Sequence, residues 1–222
     1  MAFSSIVDST SLAYPCVLAP ERYDPRRKLA VDVDSVLLGD VVQGIRKTVS
    51  HSSGCNGESF VLLDTSDARE GIVISDKQPV NEIGIAKKIT EPGDVIISRL
   101  RPYLRQVAYV DSDIPYLGNL KILCSTEFFV LRSTDKKCIA FLVPFLLSPQ
   151  VQNVLVAAQE GGHHPRFDEA TLLNIPIPAS LMKRRDEISK AVRKATRLYR
   201  ESSQSIKELI SDVERSTGNI VD

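Results

Sequence analysis

The chain has 222 residues, 43% hydrophobic and 25% charged, with 28 basic and 28 acidic side chains. That length suits one well-buried domain plus an accessory element, in the composition of an ordinary globular protein. A formal charge of zero counts against a protein that lives on nonspecific attraction to phosphate, and no run approaches the roughly eighteen apolar residues of a membrane span.

Met1 to Ser11 has neither the basic start nor the apolar core of a signal peptide, so a cytoplasmic setting and no membrane are expected. Residues 1–30 carry Pro15, Pro20 and Pro25 without periodicity, which predicts an extended lead-in. From Val31 to about Arg132 short apolar runs alternate with turn residues. Val36-Leu37-Leu38 runs into Gly39-Asp40, then Val41-Val42 and a break at Gly44. Phe60 to Leu63 ends at Asp64-Thr65-Ser66-Asp67; Gly71 precedes Ile72 to Ile74, and Pro92-Gly93-Asp94 precedes Val95 to Ile97. Gln106 to Val110 and Glu127 to Leu131 close the series. Runs of this length, rich in β-branched and aromatic residues, predict strands in a small, mostly antiparallel sheet.

After Lys137 the character changes. Ile139–Leu147 and Val151–Gln159 are long enough for two helices; Ser148-Pro149 separates them and starts the second, and Pro144 kinks or shortens the first. A loop, Glu160 to Arg166, leads to a short helix near Asp168–Leu173, and Ile175-Pro176-Ile177-Pro178 predicts an extended strap. From Leu181 to about Arg215 no Gly or Pro intervenes, which predicts one long helix of about 50 Å at roughly 1.5 Å per residue. Leu181, Ile188, Ala195, Ser202 and Leu209 fall at heptad position d, and Arg185, Val192, Tyr199, Ile206 and Val213 at a. Such a helix either packs on a second long helix or lies on its own domain; the narrow stripe favours the second helix, with Ile188, Val192, Ala195, Tyr199, Ile206, Leu209 and Val213 as the contact. The fold class is therefore α+β. Residues 1–30 form the lead-in, 31–180 a β-rich domain with short helices, 181–216 the long coiled-coil-forming helix and 217–222 a tail. Charge along the helix is uneven: Lys183 to Arg200 is basic, whereas Glu201, Glu208, Asp212, Glu214 and Asp222 turn the last segment acidic.

No catalytic constellation is legible. There is no nucleophile elbow, no phosphate-binding loop, no nuclease spacing and no methyltransferase motif. Asp94 reads as the turn entering a strand. Cys16, Cys55, Cys124 and Cys138 form no close pair and are expected as free, mostly buried thiols. His163 and His164 are adjacent and project differently, so they read as a polar loop tip or as a contact rather than as zinc ligands. No metal and no cofactor are expected.

Two stretches suit nucleic acid. Ser98 to Arg105 sets Arg99, Arg101 and Arg105 with Tyr103 around Pro102. Guanidinium forks bind phosphates and guanine edges, and a tyrosine lies against sugar or base; equally, strand alternation could turn these arginines to one solvated face. Arg46-Lys47, with the polar loop Ser50–Ser59, forms a second candidate, and ordinary solvated hairpin tips are its alternative. His163, His164 and Arg166 complete the candidate DNA contacts.

Taken in order, these pieces resemble the target-recognition domain of type I restriction–modification specificity subunits. Val36 to Gly44 resembles the opening of such a domain, and Glu91 to Leu104 its central segment; Ser125 to Arg132 resembles a later strand, and Leu172 to Pro178 the exit to the spacer helix. Leu146 to Pro149 and Gly161-Gly162 fall where the family has paired helices and a glycine loop, and Glu21 to Pro25 is also similar. One stretch departs: the elbow Ala179 to Arg185 lacks the prolines and the Glu-Gln pair usual there, which puts the usual partner contact in doubt. The resemblance implies a non-catalytic subunit that reads double-stranded DNA and directs an adenine-specific methyltransferase subunit, or a nuclease subunit, to a bipartite target. Complete members carry two recognition domains and two spacer helices, so it implies a half-subunit, completed by a second copy through the helix or by a heterologous helix. A second function class stays open: an adaptor of a defence complex that keeps the fold without DNA specificity.

Overall fold

Val95, Ile96, Ile97 and Ser98 are all buried, the mark of a strand covered on both faces rather than one that alternates between core and water. Two apolar clusters do the covering. Val95 and Ile97 face one that is mostly helical, whereas Ile96 faces one shared with a second sheet. The computed structural model describes residues 4, 6–12, 18, 20–24, 29, 32–50, 59–74, 78–114 and 120–218. Cys16, His51, Cys55, most of the Ser50–Ser59 loop and the end of the tail lie outside them.

In chain order the elements are α1 (Pro20–Tyr23), β1 (Val36–Leu37), α2 (Leu38–Val41), β2 (Val42–Ile45), β3 (Thr48–Val49), β4 (Phe60–Leu63), β5 (Ala68–Arg69) and β6 (Gly71–Val73). Then come β7 (Lys87–Thr90), β8 (Val95–Ser98), β9 (Val107–Tyr109), β10 (Lys121–Ser125) and β11 (Phe128–Ser133). The helical part holds α3 (Leu142–Leu146), α4 (Pro149–Ala157), α5 (Glu169–Leu173), β12 (Pro176–Ile177), α6 (Ala179–Lys183) and α7 (Arg185–Gly218). A six-stranded sheet runs β2-β11-β8-β9-β6-β5 and a four-stranded one β3-β7-β10-β4; β1 pairs with β12. Only β4–β10 and β6–β9 are parallel among these pairs, so the sheets are mostly antiparallel as expected. Phe128 and Val130 of β11 meet Val61, Leu63 and Ile122 between the sheets, while α2, α3, α4 and α5 cover the opposite face of the six-stranded one.

Most apolar runs become the expected strands, and the strap Ile175–Pro178 becomes β12. Several details differ. Leu38 starts a helical turn instead of continuing β1, and Gly44 lies inside β2 instead of breaking it. A side chain at Gly44 would collide with the Glu169 carboxylate, so this glycine permits a close approach. β7 and β10 are missing from the sequence-based series: Lys87 and Lys88 disguise the first, and the Gly118-Asn119 turn signal before the second is passed over. Pro144 shortens the first predicted helix to α3, whose first turn accommodates it. Ser148 caps α4, accepting a hydrogen bond from the Val151 amide, with Pro149 as its first residue. The lead-in is not extended throughout, because Pro20 begins α1, and the Arg22 guanidinium reaches the Ala158 carbonyl and Glu160.

The long helix breaks at Arg184, leaving α6 as a separate turn before the 34-residue α7. The first half of its stripe lies on its own domain. Ile188 and Val192 pack against the domain core, Ser189 and Thr196 are buried, and the Ser189 hydroxyl accepts a hydrogen bond from the Phe141 amide. Arg185 is buried and clamps Asp135 at 2.8 Å; Arg200 clamps Asp111 at the same distance. Ala195 points away from the domain. Farther on, Ile206, Leu209, Ile210 and Val213 are all exposed. Among the described residues no helix is long and apolar enough to cross a membrane. Cys124 and Cys138 are free, and burial pushes the Cys124 thiol up to about 12.

Candidate nucleic-acid interface

The Arg99 segment does not run as a strand past Ser98. Arg101 adopts a left-handed conformation (φ 48°), Pro102–Leu104 make a 3-10 turn, and Arg105 is left-handed again (φ 53°). Amides of Leu104 and Arg105 close the turn on the carbonyls of Arg101 and Pro102, each at 2.8 Å. Pro102 is buried beneath it; Tyr103 and Leu104 stand out at 55% and 50% exposure.

The His163–His164 loop is drawn against this turn by backbone pairing. Glu160 and Arg166 exchange both amide hydrogen bonds at the loop's base, and the Arg101 amide donates to the Pro165 carbonyl at 2.8 Å. The Phe167 amide donates to Arg99 in the same ladder. His163 and His164 therefore form an exposed tip, and an Arg101 Nη2 lies 3.4 Å from His164 Nδ1.

Glu127, in the turn between β10 and β11, organises the charges. Arg166 donates to it from Nη2 at 2.7 Å and from Nε at 2.9 Å, and Arg99 Nε adds a third bond at 3.1 Å. These bonds, those of Arg166 foremost, hold the Glu127 carboxyl down to about 2 against a partial burial that works the other way. A folded value below the ordinary 4.5 means that Glu127 contributes stability above pH 4.5 and loses it as pH falls towards 2. Glu127→Gln is accordingly expected to flatten the acid limb of stability between pH 4.5 and about 2, as read by urea melts; an unchanged limb would remove Glu127 as its source.

The strip extends through a residue that the sequence reading passes over. Lys88 of β7 donates to the Phe128 carbonyl at 2.7 Å and lies over the Phe129 ring. Burial lowers its ammonium pKa; Arg99 and Arg46 are near enough to push the same way, and Glu169 near enough to oppose them. Arg46 in turn holds Glu169, with Nε at 3.0 Å. Arg46, Lys88, Arg99, Arg166 and Arg101 thus form a linked line of cations interrupted by two carboxylates. Lys47 is exposed at its end, its carbonyl accepting from the Ile89 amide. Arg105 differs: its guanidinium donates to the Leu147 carbonyl and braces the turn. No signal in a Lys-Lys pair, or in a glutamate inside a strand motif, marks Lys88 or Glu127 before folding. Among the described residues no three His, Cys, Asp or Glu side chains gather into a group that could hold a metal ion.

Comparison with known structures identifies the architecture. The HsdS subunit from Thermoanaerobacter tengcongensis is similar at a TM-score of 0.54 and 22% identity, over 86% of this chain and 48% of that one. A chain solved in work on complex assembly and conformational transition of the type I R-M system is similar at 0.56 and 23%, with the same coverage. The chain has the HsdS fold. It spans about half the length of each of these structures. No family model and no curated protein matches it. Within the HsdS fold, the cation line lies where β8, the β10–β11 turn and the 160–166 loop converge, and α7 leaves from another part of the domain, beside Asp111 and Asp135.

Proposed function

We propose that this chain reads DNA sequence and performs no chemistry on it, as the specificity component of a cytoplasmic restriction–modification or related defence system. The observation that carries the reading is the line of linked cations, Arg46 to Arg101, laid beside an exposed loop on the HsdS fold. The guanidinium groups of Arg46, Arg99 and Arg166 are held by Glu169 and Glu127 before any ligand arrives, so little of their side-chain entropy is lost on binding. Partner methyltransferase or nuclease subunits supply the catalysis. The exposed Ile206, Leu209 and Val213 of α7 receive a second copy, completing an inverted-repeat, bipartite reader.

Binding of a random-sequence duplex, with and without a methyltransferase subunit, tests the reading. Arg101 is the cleaner probe, since Arg99→Ala also removes one of the three bonds that hold Glu127. Loss of one phosphate contact lowers the salt slope by about 1, whereas loss of a base contact costs roughly 1–3 kcal/mol at one position. If neither Arg99→Ala nor Arg101→Ala alters affinity, both arginines are structural; a one-chain molar mass in solution would sink the second copy. A second reading, the adaptor without DNA affinity, is favoured by the carboxylates that already occupy Arg46, Arg99 and Arg166. It predicts partner binding and no duplex binding under any condition.

A further inference from the structure

We infer that Tyr103 and Leu104 form an apolar wedge that enters the duplex at a base step and unstacks it. The inference rests on the DNA reading above and adds a mode of contact to it. Two neighbouring large apolar side chains are half exposed on a turn tied at both ends: Arg101 and Arg105 close it, Pro102 anchors it, and the Arg101 amide binds the Pro165 carbonyl. A flexible tip could fold such side chains away, but this one is held outward.

The turn is also built at a cost. Its two left-handed positions are arginines, where glycine would be free of strain. Those side chains are what glycine would lack. Arg105 braces the turn on the Leu147 carbonyl, and Arg101 stands beside His164 at the end of the cation line. An apolar tip with a cation line leading to it has the chemistry of a DNA wedge: the cations neutralise phosphates while apolar side chains replace the stacking of one step, and the duplex kinks.

The test uses the full chain and a duplex recovered by selection from a randomised pool, with 2-aminopurine placed successively along it. The wild type should raise fluorescence at one step, most readily a pyrimidine–purine step. Tyr103→Ala with Leu104→Ala should abolish that rise and weaken affinity about five- to a hundredfold, the range of stacking on a side chain. Both residues are exposed, so the melting temperature should stay in place. Tight binding with flat fluorescence everywhere would overturn the wedge and leave the DNA reading standing. A pool from which no duplex is recovered, with or without a methyltransferase subunit, overturns both.

Discussion

Asp94→Ala should destabilise the domain by about 3–5 kcal/mol, the cost of removing one partner from a buried ion pair. For a chain of this size that corresponds to a melting temperature lower by roughly 6–20 °C. Asp94 is 2% exposed at the entry to β8 and fully engaged. Oδ2 accepts from the Thr90 hydroxyl, the Glu91 amide and Arg132 Nη2, and Oδ1 accepts from Arg132 Nε at 2.8 Å. Among the described residues, alanine leaves the Arg132 guanidinium with Glu91 as its carboxylate partner, at 3.0 Å and largely in solvent. Replacing both members by apolar residues of similar volume should restore much of the loss, because the penalty lies in the unpaired charge. Thermal melts of the single and paired variants check this; equal losses in both would show that packing around β8, not the charge, is responsible.

That ion pair explains why two stretches of sequence carry the resemblance together. β8 and β11 are antiparallel neighbours, with Leu131 opposite Val95 and Phe128 opposite Ser98. Asp94 pairs with Arg132 at one end of this ladder and Arg99 with Glu127 at the other. Glu91, Asp94 and Arg99 of the Glu91–Leu104 segment thus find their partners in the Ser125–Arg132 segment. Sequence order makes each visible as a short motif, but only the register of the two strands shows that they are one unit. The strands legible in the sequence were those bounded by turn chemistry, such as Pro92-Gly93-Asp94, where Gly93 takes a φ of 105°. The series misses β7, whose lysine heads reach Asp64 and the Phe128 carbonyl, and β10, a short run opened by Lys121 despite the Gly118-Asn119 turn signal before it. For the site, residue type pointed to the arginines; it could not show that Glu127 holds two of them. Nor could it show that Lys88 bridges them to Arg46, since the Glu127 contacts and the approach of Lys88 to Arg46 each span more than twenty residues of sequence.

Arg200→Ala is expected to release the first half of α7 from the domain. Arg200 and Asp111 are both about nine-tenths buried, and Arg200 Nη2 also donates to the Val73 carbonyl at 2.7 Å. Removing the guanidinium strands the Asp111 carboxylate, at a cost of about 3–5 kcal/mol if the helix stays docked. The helix can avoid that cost by lifting away and letting water reach Asp111, so the observed loss is whichever is smaller. The expected signature is faster amide exchange from Arg185 to Arg200 and in the Asp111–Asp113 turn, with β8 and β11 unchanged. Removing both partners, Arg200→Ala with Asp111→Ala, should restore part of the protection; exchange that rises equally in β8 would instead show that helix and domain unfold as one. The consequence for DNA reading follows from geometry. Arg185 and Arg200 grip the domain fifteen residues apart, about 22 Å along the helix at roughly 1.5 Å per residue, and two such anchors fix a direction where one would leave a pivot. If a second copy docks on Ile206 to Val213, the angle set by these two arginines determines how far apart the two recognition faces stand. Arg200→Ala should then broaden the spacing tolerated between half-sites in a series of duplexes that vary it one base pair at a time. A spacing preference as sharp as that of the wild type would place control of the distance in the helix pair itself.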